Sequence, residues 1–257
     1  MADSVTGAAP RQLARAAGAL YLINIVFGAF SLGVVPDLLV AGGMAGTAHN
    51  IAAHELLYRL GLAAHIVVTV TNIPLAVIFY DLFKVVNRRL ALLDVFFTLV
   101  ATAVEAAGIL AQFTPLVLQG SSYAQALTPA QRDALAYLPG DLSAIGYSVY
   151  GIFYGFDALC VAYLVLKSTF LPWVIGVSMA ADGLASYLAY GFISLLAPGV
   201  AAHLVPWIQL PTILGEGSLC LWLLIRGVDA RRWAQQASAA TGPVALGRRA
   251  GDLRPLR

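Results

Sequence analysis

Long apolar blocks run through this chain, and inside each block polar residues recur every three or four positions. About 20 consecutive apolar residues are enough to carry a helix across the hydrocarbon core of a bilayer. The blocks lie at Leu13–Gly33, Glu55–Leu82, Leu90–Pro115, Asp141–Leu166, Pro172–Leu196 and Pro206–Arg226, and they predict six membrane-crossing helices. An advance of about 100° per residue puts the polar residues of each block on one face. Tyr21, Asn24, Gly28 and Ser31 align in the first, and Tyr58, Gly61, His65, Thr69 and Asn72 in the second, with Pro74 expected to kink it. Asp94, Thr98, Thr102, Glu105 and Gln112 share a face of the third, and Ser143, Tyr147, Tyr150, Tyr154 and Asp157 one of the fourth. Ser178, Asp182 and Ser186 align in the fifth, and Gln209, Thr212, Glu216 and Cys220 in the sixth.

A polar group facing lipid without a partner costs several kcal/mol, so these faces are expected to point at one another or at water. Hydroxyl and amide stripes alone also serve as glue between helices. The carboxylates change the picture. Glu105, Asp157, Asp182 and Glu216 lie well inside blocks with no lysine or arginine at comparable depth, and His65 is the candidate base. Four acids without matching cations cannot all stay ionised in a low-dielectric interior. Such groups hold a proton, bind a cation, protonate a substrate, or act as buried donors for packing. Ionisable residues at this depth mark functional sites by default. Glu216, flanked by Gly215 and Gly217, and Asp182 are expected near the midplane, Asp157 nearer the cytoplasm, and Glu105 with His65 in the outer half. The candidate ligand-binding set is Glu216, Asp182, Asp157, Glu105, His65, Asn72, Tyr150 and Tyr154, and the four acids are also the candidate catalytic groups.

Arg11, Arg15, Lys84, Arg88, Arg89, Lys167 and the arginines from Arg226 onward fall on one side, against Arg59 and Arg132 on the other. The positive-inside rule then puts both termini in the cytoplasm. Residues 1–12 form a cytoplasmic N-terminal segment, 13–228 a transmembrane helical domain, and 229–257 a basic tail expected to be disordered beyond about Gln236, facing anionic headgroups. Arg11 and Arg15 precede an apolar run longer than a signal-peptide core, which reads as a retained first helix. Thr128, Pro129 and Gln131 form a capping box with proline at the first helical position, predicting a short amphipathic helix over Arg132–Leu138 in an outer loop, or a plain spacer. Tyr80 with Lys84 and Tyr163 with Lys167 repeat one spacing at two inner ends.

The composition, 60% hydrophobic and 11% charged with a mean hydropathy of +0.82, is that of a polytopic membrane protein, since soluble domains carry roughly 25% charge. A net charge of +2 excludes a nucleic-acid-binding surface. Cys160 and Cys220 lack metal or redox spacing, and His49 and His54 are five apart, off the spacing that puts two ligands on one helix face, so no metal site is expected. There is no phosphate loop, no GxSxG and no HExxH, and no lysine in the last block for a Schiff base, so no soluble cofactor is indicated. Gly151 and Gly155 form a GxxxG, which usually packs helices within one bundle.

The stretches AAHELLYRLGLAAHIV from Ala52, YDLFKVVNRRLALLDVFFTLV from Tyr80, STFLPWVIG from Ser168 and PTILGEGSLCLWLLIRGV from Pro211 resemble a bacterial membrane family, domain of unknown function 4386. The similarity runs from about Ala14 to Val228. It implies a polytopic protein of the bacterial inner membrane whose activity is not established. The family often carries an arginine and a glutamate near the positions of Thr98 and Ala101, and their absence here argues against an ion-pair mechanism.

Three readings follow. The first is an intramembrane site for a small or amphiphilic molecule, coupled to a proton or cation through the buried acids, with Pro74 and Pro211 allowing gating. The second is a membrane-embedded enzyme using a buried carboxylic acid on an isoprenoid or lipid, similar in logic to integral-membrane terpene cyclases, with Tyr147, Tyr150 and Tyr154 stabilising a passing cation. The third is a structural or regulatory membrane partner with no ligand. The expected partners are membrane lipids and a small amphiphilic ligand.

Overall fold

In the computed structural model, which describes residues 3–241, each apolar block is helical and no strand occurs among the described residues. Hydrocarbon offers backbone groups no partner, so the chain satisfies them within its own helices. Helix α1 (Asp3–Gly28) passes through a π-helical segment at Ala29–Val34 into α2 (Val35–Leu39). There follow α3 (Gly43–Ala53), α4 (Glu55–Gln112), α5 (Thr114–Leu118), α6 (Ser121–Ala126) and α7 (Pro129–Lys167). Next come α8 (Trp173–Ala181), a π-helical segment at Asp182–Ala189, α9 (Tyr190–Leu196) and α10 (Pro198–Leu204). A 3-10 turn at Trp207–Gln209 leads into α11 (Leu210–Ile225), and α12 (Ala230–Thr241) ends the described chain. Five described segments are long and apolar enough to cross a membrane: Ala9–Leu39, Glu55–Leu118, Pro129–Lys167, Trp173–Leu196 and Trp207–Ile225.

The difference from six blocks lies in Glu55–Leu118, which holds the second and third in one helical run. Its 64 residues would extend about 95 Å if straight, about three times the hydrocarbon thickness. It folds back instead. Asn87 leaves the helical region at φ −154°, ψ 103°, and the arms on either side pair antiparallel. Tyr58 Oη donates to the Gln112 carbonyl at 2.7 Å, and His65 Nε2 meets Glu105 Oε1 at 3.0 Å. Asn87 Oδ1 accepts from the amides of Arg89 and Leu90, both at 3.1 Å, and so caps the second arm. Asn87→Ala is expected to cost about 1 kcal/mol, read as a lower melting temperature in detergent, with Asn87→Asp restoring it. Pro74 does not break the helix, whose dihedrals stay helical there. Pro211 lies in the first turn of α11, where a missing N–H costs nothing.

The capping box forms as expected: the Gln131 amide donates to Thr128 Oγ1 at 3.4 Å, and Gln131 Oε1 accepts from the Thr128 amide at 2.9 Å. The helix it starts is not a separate surface helix. It runs 39 residues to Lys167, through Pro139. Gly140 does not take the left-handed conformation that would end it.

The dry core sits at the end of the bundle that carries Lys84, Arg88, Arg89, Lys167 and Arg226, called here the basic end. Phe79, Leu82 and Phe83 of α4 pack there with Leu164 of α7, Phe170 and Leu223 of α11, all buried. Close helix approach depends on glycine. A Cβ on Gly18 would lie 2.4 Å from the Leu224 amide nitrogen, and one on Gly155 would lie 3.0 Å from the Gly183 carbonyl oxygen. The GxxxG of α7 thus seats α7 against the π-helical segment that follows α8. Lys84 and Lys167 each lie over the ring of the tyrosine four residues earlier, at 5.6 and 5.8 Å from its centroid.

The first part of the tail is helical. Asp229 caps α12 through the amides of Arg231 and Arg232, and α12 is helical to Thr241. Trp233 Nε1 donates to the Leu82 carbonyl at 2.9 Å, Gln236 Nε2 donates to the Lys167 carbonyl at 3.1 Å, and Gln236 Oε1 accepts from the Thr169 amide at 2.9 Å. These bonds fasten α12 across the ends of α4 and α7. The rest of the tail, 242–257, lies outside the described residues.

Candidate functional site

The polar faces point inward. Asn24, His65, Thr69, Asn72, Asp94, Thr98, Thr102, Asp157, Asp182 and Ser186 are all buried, while Val26, Val70, Phe96 and Leu110 lie exposed on the outside. The inward groups sort into three clusters along the bundle.

The cluster farthest from the basic end joins the arms of α4. Glu105 Oε1 meets His65 Nε2, and Glu105 Oε2 accepts from Thr69 Oγ1 at 3.2 Å. A cavity of about 40 Å³ borders this pair, lined also by Gln112, Ser143, Tyr147 and Tyr150. That is room for about one water molecule, whose share of liquid volume is roughly 30 Å³. Gln112 Nε2 donates to Ser143 Oγ at 2.8 Å on its rim.

From this cavity a ladder of tyrosines descends α7. The rings of Tyr147 and Tyr150 stack at 5.7 Å, those of Tyr150 and Tyr154 at 5.3 Å, and Tyr154 meets Tyr187 edge-on at 4.7 Å. Spacings of three and four residues on one helix place these rings in register. The ladder ends at the second cluster, where Tyr187 Oη donates to Glu216 Oε1 at 2.7 Å. Tyr154, its ring against Tyr187, has its Oη 3.5 Å from Tyr21 Oη. Beside Glu216, Thr212 Oγ1 donates to Asp182 Oδ1 at 2.6 Å. Asp182 is wholly buried, and its Oδ2 has no partner among the described residues. A Cβ on Gly215 would lie 3.0 Å from Asp182 Cβ, so glycine here lets α11 press against the acid.

The third cluster, nearest the basic end, is a pair of acids. Asp94 of α4 and Asp157 of α7 are buried neighbours; Asp157 Oδ1 accepts from Thr98 Oγ1 at 2.6 Å, and Asp94 Oδ1 has no hydrogen-bond partner among the described residues. Separately, Asn24 Nδ2 donates to Asn72 Oδ1 at 2.6 Å, and Thr71 Oγ1 donates to Asn24 Oδ1, tying α1 to α4.

The eight candidate residues therefore do not form one site. Glu216, Asp182 and Tyr154 meet in the middle, His65, Glu105 and Tyr150 border the cavity, Asp157 pairs with Asp94, and Asn72 belongs to the α1–α4 contact. Two further residues matter. Asp94, whose face the sequence gives, is not among the candidate acids, which are those lying well inside their blocks, whereas Asp94 lies near the start of its block at Leu90. Tyr187 lies outside the polar stripe of its block at α-helical spacing. The π-helical segment, with bonds from i to i+5, widens the turn and swings Tyr187 round towards the face of Asp182. No cluster of three metal-ligating side chains occurs among the described residues.

A family model, domain of unknown function (DUF4386), matches residues 16–227. The chain belongs to the DUF4386 family. The DUF4386 match takes in all three polar clusters and the dry core up to Gly227, and it stops short of α12. No curated protein and no solved structure matches the chain. With its apolar helices, this DUF4386 protein is a membrane protein.

Proposed function

We propose that the chain crosses the bacterial cytoplasmic membrane six times with both termini inside, and that it moves or binds a small amphiphilic solute in exchange for a proton held by its buried acids. The break at Asn87 supports two crossings within α4, and the collection of lysines and arginines at one end supports the orientation. One observation carries the functional reading. A polar line runs from His65 and Glu105 through the small cavity and the tyrosine ladder to Glu216, and the apolar cluster around Phe83 and Leu223 closes it at the basic end. A polar line that stops at an apolar plug is what a carrier presents in one of its two states.

The enzymatic reading draws less support. The rings of Tyr147, Tyr150 and Tyr154 are stacked on one another, so part of their face area is taken up within the ladder, and the cavity they border is far smaller than an isoprenoid.

The test uses proteoliposomes loaded with a pH-sensitive dye and challenged with a panel of organic cations, weak acids and isoprenoid alcohols. At least one class is expected to drive proton movement in the wild type. Glu216→Gln and Asp182→Asn should each slow it by about tenfold or more, the effect of ~1.4 kcal/mol on a rate. Proton movement unchanged in both variants would remove these acids from the mechanism.

A further inference from the structure

Outside this interior lies a second feature that the proposed carrier function does not use. At the basic end a cleft of about 630 Å³ opens between Arg11–Arg15 of α1 and the junction of α11 with α12. Arg11, Arg15, Arg226 and Arg231 line it, over an apolar floor that includes Phe170 and Trp222. We propose that this cleft binds a phosphate group through Arg11, Arg226 and Arg231, with Arg15 behind them.

The charges are uncompensated. Among the described residues, none of these four arginines has a carboxylate within ion-pair distance. Arg15 Nη2 donates to the Ile225 carbonyl at 3.3 Å, at the end of α11, and the Arg226 guanidinium lies over the Trp222 ring at 5.9 Å. Arg11 and Arg231 have no side-chain partner among the described residues. Asp229 is the one acid in the lining, and it is already engaged. Its Oδ1 caps α12 through the Arg231 and Arg232 amides at 3.0 and 3.1 Å, and its Oδ2 faces Arg232 Nε at 3.5 Å.

The backbone builds the cleft. Gly227 holds φ +68°, a left-handed conformation open to glycine, and turns the chain from α11 towards α12. A side chain there would meet Arg11 Cγ at 3.0 Å, so the turn brings Arg226 and Arg231 up to the α1 arginines. Four like charges gathered in one cleft repel unless an anion sits among them. Planar guanidinium forks match the oxygens of a phosphate bidentately, and a phosphate has oxygens enough for several arginines at once. The cleft begins where α11 leaves the apolar segment, beside Trp222, at the level where aromatic side chains meet headgroups. The phosphate can therefore belong to an anionic lipid or to a soluble molecule.

The experiment uses the full chain, delipidated in neutral detergent, with phosphatidylglycerol, phosphatidylcholine and inorganic phosphate as probes, read by native mass spectrometry and melting temperature. Phosphatidylglycerol or inorganic phosphate is expected to bind, and Arg11→Gln with Arg226→Gln, or Arg231→Gln alone, should weaken binding about tenfold. Arg88→Gln with Arg89→Gln, charges removed from the same end but outside the cleft, should leave it unchanged. Binding of phosphatidylglycerol without inorganic phosphate assigns the site to a lipid, and binding of both assigns it to phosphate as such. Equal retention of phosphatidylcholine and phosphatidylglycerol, or equal losses in the Arg88/Arg89 variant, would overturn the proposal. Neither result bears on proton movement through Glu216, so this site and the interior path fail or stand separately.

Discussion

Glu105→Leu, with His65 left in place, is expected to destabilise the detergent-purified protein by about 3 kcal/mol, because one partner of a buried pair is left unsatisfied. The side chains of His65 and Glu105 are 8% and 9% exposed, and the cavity beside them has room for about one water, so hydration replaces the lost partner only in part. Thr69 loses its carboxylate acceptor at the same time, though its hydroxyl keeps the bond to the His65 carbonyl at 2.9 Å. His65→Leu with Glu105→Leu should cost less than the two single changes added together. Interhelical hydrogen bonds inside membrane proteins contribute about 0.6 kcal/mol on average. A coupling above ~1.5 kcal/mol in the double-mutant cycle marks the pair as more than such a bond. Additive single costs would instead make the two side chains independent, and the polar line would lose its outer anchor.

Gly18→Val should be at least as damaging, by a different route. The new Cβ would lie 2.4 Å from the Leu224 nitrogen and 2.7 Å from its Cα, and backbone cannot move aside as a flexible side chain can. Overpacking of this kind costs about 1–3 kcal/mol and more when the obstacle is rigid, so a loss of about 3 kcal/mol is expected. Gly28→Ala is the matched control, since a Cβ at Gly28 meets nothing within 4 Å, and it should stay within about 0.5 kcal/mol of wild type. Equal melting temperatures for Gly18→Val and wild type would mean that α1 does not sit against α11 in this way.

The features legible in the sequence are those written at helical spacing. The polar faces point inward, and the acids lie inside apolar segments with no lysine or arginine beside them. Thr128 and Gln131 announce the start of α7, and the GxxxG marks a close helix contact. What escaped depends on departures from that spacing or on pairings between distant segments. Tyr187 reaches Glu216 because the helix widens after Ala181, and a fixed step of 100° per residue misses it. Asp94 finds Asp157, and nothing in the sequence alone couples those two positions. The short helix expected over Arg132–Leu138 does not end there, because the chain absorbs the hydrogen bond missing at Pro139 and stays helical to Lys167. The tail reads as a basic, unpatterned segment, yet Asp229, Trp233 and Gln236 give its first turns a cap and a docking face.

The hairpin of α4 has a consequence for how the protein enters a bilayer. Its arms carry their own partners: Tyr58 with Gln112, and His65 and Thr69 with Glu105. A newly made hairpin can therefore leave the aqueous pore of the insertion machinery as a closed unit, with those groups already matched. Asp94 finds no partner within the hairpin: the acid beside it, Asp157, is synthesised only with α7. Until α7 arrives, the second arm carries one acid with no companion, and the order of synthesis makes α7 the helix that completes it.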